Sequence, residues 1–189
     1  MSAFACIETS VITRGLKVLD ALLKRAPVRV LHADRHTPGK FIVFFEGDVA
    51  SVEESHQEAL ATVGEYLIDE VFLPQPHSLV GAGLSGKYSE FSGDAILMAE
   101  WKHVASTVAA LDYSAKLVES RLIDLHLAQT IGGKGYFVLE GELSDMDYLQ
   151  SELLSAFDGR AISLDVISRP HEDLVAAMHQ RPAFSAGRV

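Results

Sequence analysis

At 189 residues, the chain is long enough for one large domain or two small ones with a buried core. Its 48% hydrophobic and 22% charged residues exclude wholesale disorder. A net charge of −10 without a Lys/Arg cluster argues against nucleic acid and against an anionic membrane surface as partners.

The single cysteine, Cys6, rules out an internal disulfide and a cysteine-based zinc or iron–sulfur cage within one chain, and fits a reducing compartment. No basic region followed by an apolar run opens the chain, so no signal peptide is expected. The longest strongly apolar run, Phe41 to Phe45, is too short to span a bilayer. The expectation is a soluble, cytoplasmic protein.

Along the chain, Phe4 to Ile7 reads as a strand, and Thr9 or Ser10 offers an oxygen to cap the helix that follows. Ile12, Leu16, Leu19, Leu23 and Ala26 recur at helical spacing, and Pro27 ends that helix. Val28 to Leu31 is a β-branched run, Thr37-Pro38-Gly39 a turn signal, and Phe41 to Phe45 the returning strand of a hairpin. Gly47-Asp48 opens a second helix with an inward face of Val49, Val52, Ala59, Leu60 and Val63; Leu67 to Leu73 is a fourth strand. The same plan then recurs. Ile96 to Ala99 is a strand, and Val104, Val108, Leu111, Ala115 and Val118 line a helix. A hairpin turns at Gly132-Gly133, Leu143, Met146, Leu149 and Leu153 line a second helix, and Ile162 to Ile167 is the last strand.

The recurrence has a register. A shift of 92 residues carries Glu8 onto Glu100, Leu19 onto Leu111, Asp20 onto Asp112, Lys24 onto Lys116 and Arg29 onto Arg121. After two inserted residues a shift of 94 carries Gly39-Lys40 onto Gly133-Lys134, Glu46-Gly47 onto Glu140-Gly141 and Pro76-His77 onto Pro170-His171. The predicted organisation is a first domain over 1–80, a flexible Gly/Ser-rich linker over 81–94, a second domain over 95–178 and a frayed tail over 179–189. Each domain has the order β-α-β-β-α-β, so the fold class is α+β: two tandem ferredoxin-like domains. That plan hosts many functions and decides none.

No catalytic constellation stands out: the sequence has no HExxH pair, no GxSxG elbow and no P-loop. Gly132-Gly133-Lys134 falls in a hairpin, whereas a phosphate loop needs a strand-to-helix turn. His77 and His171 read as helix starts better than as a metal pair, since no acidic or thiol partner sits at ligand spacing. Glu8 and Glu100 read as structural acceptors for nearby backbone, Cys6 as a small buried hydrophobe and Trp101 as packing or interface. No enzyme activity, metal or cofactor is expected.

ACIETSVITRGLKVLDALLKRAPV and HTPGKFIVFFEGDVASVEES, with IGGKGYFVLEGELSDM and ISRPHEDL in the second copy, resemble the bacterial microcompartment shell domain over roughly Phe4 to Leu174. The likeness is greatest to the tandem-domain shell proteins of propanediol-utilisation compartments. The resemblance implies a pseudohexameric homotrimer in the microcompartment shell, in contact with other shell proteins and encapsulated enzymes. It also implies a central pore that passes or gates metabolites, lined by the hairpin loops: Arg35, His36, Thr37, Pro38 and Gly39 from the first copy, and Gln129, Thr130, Ile131, Gly132 and Gly133 from the second. Thr37 stands where the propanediol relatives place an iron–sulfur cysteine. Lys24, Lys116 and Arg169 match the family's tile-edge positions, and Gln75 is the first-copy counterpart of Arg169. Two other readings stay open at this point: a ferredoxin-like trimeric ligand-binding or regulatory protein, and a redox shell subunit holding a metal at the pore through His36.

Overall fold

The structure is a computed structural model describing residues 2–179. The first half runs β1 (Ala3–Thr9), α1 (Ile12–Arg25), β2 (Arg29–His36), β3 (Lys40–Gly47), α2 (Val49–Val63), a single 3₁₀ turn (Gly64–Tyr66) and β4 (Leu67–Leu73). A short helix α3 (Ser78–Leu84) follows. The second half repeats the order as β5 (Ala95–Trp101), α4 (Val104–Leu117), β6 (Arg121–Leu127), β7 (Gly135–Gly141), α5 (Leu143–Ala156) and β8 (Ala161–Ser168), and α6 (Glu172–His179) follows.

Each half folds into its own antiparallel sheet, ordered β2-β3-β1-β4 and β6-β7-β5-β8. This is the predicted α+β plan, twice. The registers repeat as well: Cys6 pairs with Phe44 and Val71, and Met98, its counterpart, pairs with Val138 and Asp165. Among the described residues no helix is long and apolar enough to cross a membrane.

The halves share one core. Phe4, Cys6, Ile42, Phe44 and Val71 on one face of the first sheet join a buried cluster with Val104, Val108 and Leu111 of α4 and the inner face of the second sheet. A separate cluster of Ala5, Ile7, Val18, Leu22, Val43, Val52 and Ala59 fills the other face of the first sheet, beneath α1 and α2. The first sheet is therefore covered on both sides, which is why β1 is buried along its whole length instead of alternating.

Four local expectations differ from the fold, the simplest being Val49, read as inward-facing on α2 but exposed at the helix's first turn. The buried stripe of α1 is Gly15, Val18 and Leu22, and Leu16 and Leu23 point to solvent. Two apolar stripes run along this helix, and Gly15 decides between them: a Cβ there would lie 2.5 Å from Phe41, so only glycine lets the helix approach β3 on that side. Neither Thr9 nor Ser10 caps α1; their hydroxyls donate to the carbonyls of Val11 and Tyr66, and the cap position is Val11. The segment read as a flexible linker begins inside α3, where Val80 and Gly83 are buried and a Cβ on Gly83 would meet Leu122 and Leu125. Of the predicted tail over 179–189, His179 is the last residue of α6 and residues 180–189 lie outside the described residues.

Candidate functional site

The two hairpins carry the loops singled out in the sequence, and both tips lie at one end of the seam between domains. Lys40, the first residue of β3, is buried there. Its Nζ donates to the Gly133 carbonyl at 2.9 Å, and lies 3.1 Å from Glu8 Oε2 and 3.1 Å from His103 Nδ1. The close approach of Gly133 to the Thr37 carbonyl, with a positive φ of 74°, reserves that position for glycine. One lysine thus ties the first hairpin to the second.

Glu8 completes the seam. Its Oε1 accepts from the Ala105 N–H at 2.6 Å, in the first turn of α4. Asp69 on β4 accepts from the Ser106 N–H at 3.0 Å and from the Ser106 hydroxyl. Helix N-termini carry unsatisfied N–H groups and partial positive charge, so two carboxylates of the first domain hold α4 by its favourable end. Burial raises the Glu8 carboxyl to about 7, against the opposing pull of Lys40 and the Ala105 N–H.

Within the hairpin tips, Arg35, Thr37, Pro38, Gly39, Thr130 and Gly132 are exposed, Gln129 and Ile131 half-buried, and Gly133 buried. The His36 ring is the exception among the loop side chains. It turns inward, with Nε2 2.8 Å from Nε2 of His32 and the rings 5.0 Å apart. Burial depresses both imidazoles, His32 to about 4, so the pair is neutral near pH 7. Among the described residues, no three His, Cys, Asp or Glu side chains come together as a metal site.

The three edge candidates are separate from the loops. Lys24 is exposed and pairs with Asp20 at 2.6 Å; Lys116, its repeat, pairs with Asp112 at 2.5 Å. Asp112 is buried and also accepts from the His77 N–H at 2.6 Å, so it joins α3 to α4. Arg169 has a left-handed backbone, φ 49°, its N–H bonded to the Asp94 carbonyl at 2.7 Å and its side chain projecting to solvent.

Other sequence candidates take structural places. His77 and His171 each accept on Nδ1 from a backbone N–H two residues on, at the starts of α3 and α6. Cys6 is fully buried, and its thiol is pushed well up by that burial. Trp101 is buried and stacks on Phe137.

Glu8 accepts from backbone as the sequence reading expects, but from Ala105 in the second domain, whereas Glu100 pairs with the Lys134 side chain; the lysine partners were missed, yet their signal was present. The six charged positions that anchor the repeat form three ion pairs in each domain: Glu8–Lys40, Asp20–Lys24 and Arg29–Glu46, then Glu100–Lys134, Asp112–Lys116 and Arg121–Glu140. A charge kept in both copies alongside a kept opposite charge marks a contact.

The BMC domain family matches residues 3–76. The bacterial microcompartment shell protein PduT of Citrobacter freundii is 32% identical over 174 residues, 91% of this chain and 95% of that protein. Among solved structures, a microcompartment protein from Desulfitobacterium hafniense superposes with a TM-score of 0.78 at 29% identity, covering 92% of this chain and 98% of that one. A double-ringed trimeric shell protein of the RMM microcompartment superposes at 0.63 and 15% identity, covering 83% of each chain, a likeness of fold.

Proposed function

Because the chain belongs to the bacterial microcompartment shell proteins, and so has a structural shell role, we propose that it works as a trimeric, pseudohexameric tile rather than as an enzyme. Three chains supply six wedges around one axis, and the hairpin tips line a central pore that passes or gates metabolites. The observation that carries this reading is the joining of both tips at one end of the domain seam through Lys40, Thr37 and Gly133. Two successive wedges of a ring need their tips side by side, and a duplicated domain supplies them in one chain. The lining is Arg35, Thr37, Pro38, Gly39, Gln129, Thr130, Ile131, Gly132 and the backbone of Gly133, with His36 held behind it by His32. Without a cysteine at Thr37, the tip offers hydroxyl, guanidinium and carbonyl groups, a lining suited to polar or anionic metabolites.

The outer rim carries Lys24, Lys116 and Arg169, proposed contacts with other shell tiles, and the assembled layer sits in the shell of a cytoplasmic compartment around its enzymes. The domain limits proposed are 1–80 and 95–178, with α3 as the ordered part of the connection. Native mass spectrometry tests the tile directly. The expected species is three times the 20.5 kDa chain mass; a monomer or dimer at micromolar concentration contradicts it.

A further inference from the structure

The segment after α3 runs along the edge strand β6 and turns a ring onto the second sheet. Phe91 packs on Ile96, Ile123 and Val138, beside Met178 of α6. The Ser89 N–H donates to the Leu122 carbonyl at 2.8 Å, and the Ser92 N–H to Glu140 Oε2 at 2.8 Å. The Arg121 guanidinium, paired with Glu140, donates to the Ser92 hydroxyl. An apolar floor and one Arg–Glu pair thus hold a Phe-Ser dipeptide. The first domain repeats these fittings. Phe4, Leu31 and Phe44 stand for Ile96, Ile123 and Val138, Leu84 for Met178, and the Arg29–Glu46 pair for Arg121–Glu140. They line an open hollow of about 680 Å³. Here the Glu46 side chain is 25% exposed, against 1% for Glu140, and Leu31 is partly exposed where Ile123 is buried.

We infer that this hollow receives the tail of a second copy of the same chain, with the partner subunit's Phe184 on Phe4, Leu31 and Phe44, and the partner subunit's Ser185 held by the Arg29–Glu46 pair. Two observations name the occupant. Of the nine phenylalanines in the chain, only Phe91 and Phe184 precede a serine. Phe91 stands 14 residues after His77, at the start of α3, and Phe184 stands 13 after His171, at the start of α6. The tail, in residues 180–189 outside those described, therefore repeats the linker in sequence. Helix α3 passes its linker to the domain that follows; by the same step α6 passes the tail to the first domain of the next copy around a ring. The inference rests on the trimer reading and adds to it a strap that the ring does not need in order to close. Burial of one aromatic side chain offsets the cost of ordering the tail, and tethering keeps its local concentration high.

Disulfide capture in the full chain tests the strap. In the second domain a Cβ on Gly93, the residue after Ser92, would lie 2.7 Å from Glu140 Cγ. Ala186→Cys with Glu46→Cys places two thiols at the equivalent contact. Mild oxidation is expected to give covalent dimers and trimers on a denaturing gel, reversed by reductant. Ala186→Cys with Ser151→Cys, on the exposed face of α5, is expected to stay monomeric there. Phe184→Ala added to the linking pair should slow capture by about tenfold, the effect of losing an anchor side chain. Native mass spectrometry of the same variants reads the ring separately, and all are expected to remain trimers. If the trimer is intact but the pair never links, links only within one chain, or links as fast with Phe184→Ala, the tail docking is wrong and the tile survives. If the parent chain is a monomer, both fall.

Discussion

Glu8 and His32 are buried titratable groups with opposite linkage. The folded Glu8 carboxyl titrates near 7, above its ordinary value, so its contribution is complete at acid pH and lost as pH rises from about 4.5 to about 7. His32 titrates near 4, below its ordinary value, so its contribution is present above about 6.5 and lost as pH falls toward 4. The two slopes oppose each other across nearly the same window. Urea unfolding at a series of pH values should therefore find that Glu8→Gln makes stability rise more steeply with pH between 4.5 and 7, and His32→Gln makes it rise less or fall. The ceiling on either effect is about 1.4 kcal/mol for each pH unit of displacement. Identical slopes for both variants and the parent would mean that neither side chain is buried as described.

At the scale of elements, the two domains solve one packing problem in mirrored ways. Where α1 crosses β3, Gly15 lies under Phe41; at the equivalent crossing of α4 and β7, Thr107 lies over Gly135, and a Cβ on Gly135 would run into the Thr107 hydroxyl. A small residue on one element receives a large one from the other, and the repeat exchanged which is which. Gly15→Thr alone should cost about 1–3 kcal/mol by overpacking, and Phe41→Gly alone about 3–5 kcal/mol by leaving a void and a flexible strand position. The double variant, which installs the second domain's solution in the first, should recover part of both losses in chemical denaturation; strict additivity would contradict the exchange.

The same crossing explains what sequence reading captured and what it did not. Strands, helices and the two-residue insertion were legible because apolar periodicity and kept charges are local signals. β4, read as Leu67 to Leu73, has those limits in the structure. The buried side of α1 was not legible: its apolar residues form two stripes, and the choice depends on Gly15 meeting Phe41, a contact distant in the chain. Helix α3 was hidden by the glycines of its sequence, since Gly81 and Gly83 lower helix propensity while Gly83 is needed for contact with Leu122 and Leu125. The loops proposed to line the pore were legible as hairpin turns, but the inward rotation of His36 follows from His32 on the same strand, a pairing that turn chemistry does not reveal. At the shared seam, Glu8 was legible as a structural acceptor and Lys40 as an anchor of the repeat, but their pairing across 32 residues was not.

At the scale of the whole molecule, the proposed ring would leave its rim to meet other tiles. Lys24 sits at the C-terminal end of α1, where a cation is favoured by the helix dipole, and its pair with Asp20 is solvent-exposed and worth about 1 kcal/mol or less. Lys116 has a buried partner, so its loss should cost more than that of Lys24. Neither loss unfolds the chain, yet a tile held at several edges multiplies small terms, and a layer is sensitive to each.

Electron microscopy of the concentrated protein therefore tests the shell role most directly, with the Lys24→Ala/Lys116→Ala variant imaged beside the parent. The account predicts flat layers or tubes of close-packed tiles from the parent, and dispersed trimers with a nearly unchanged melting temperature from the variant. Discrete particles from the parent at every concentration would contradict it.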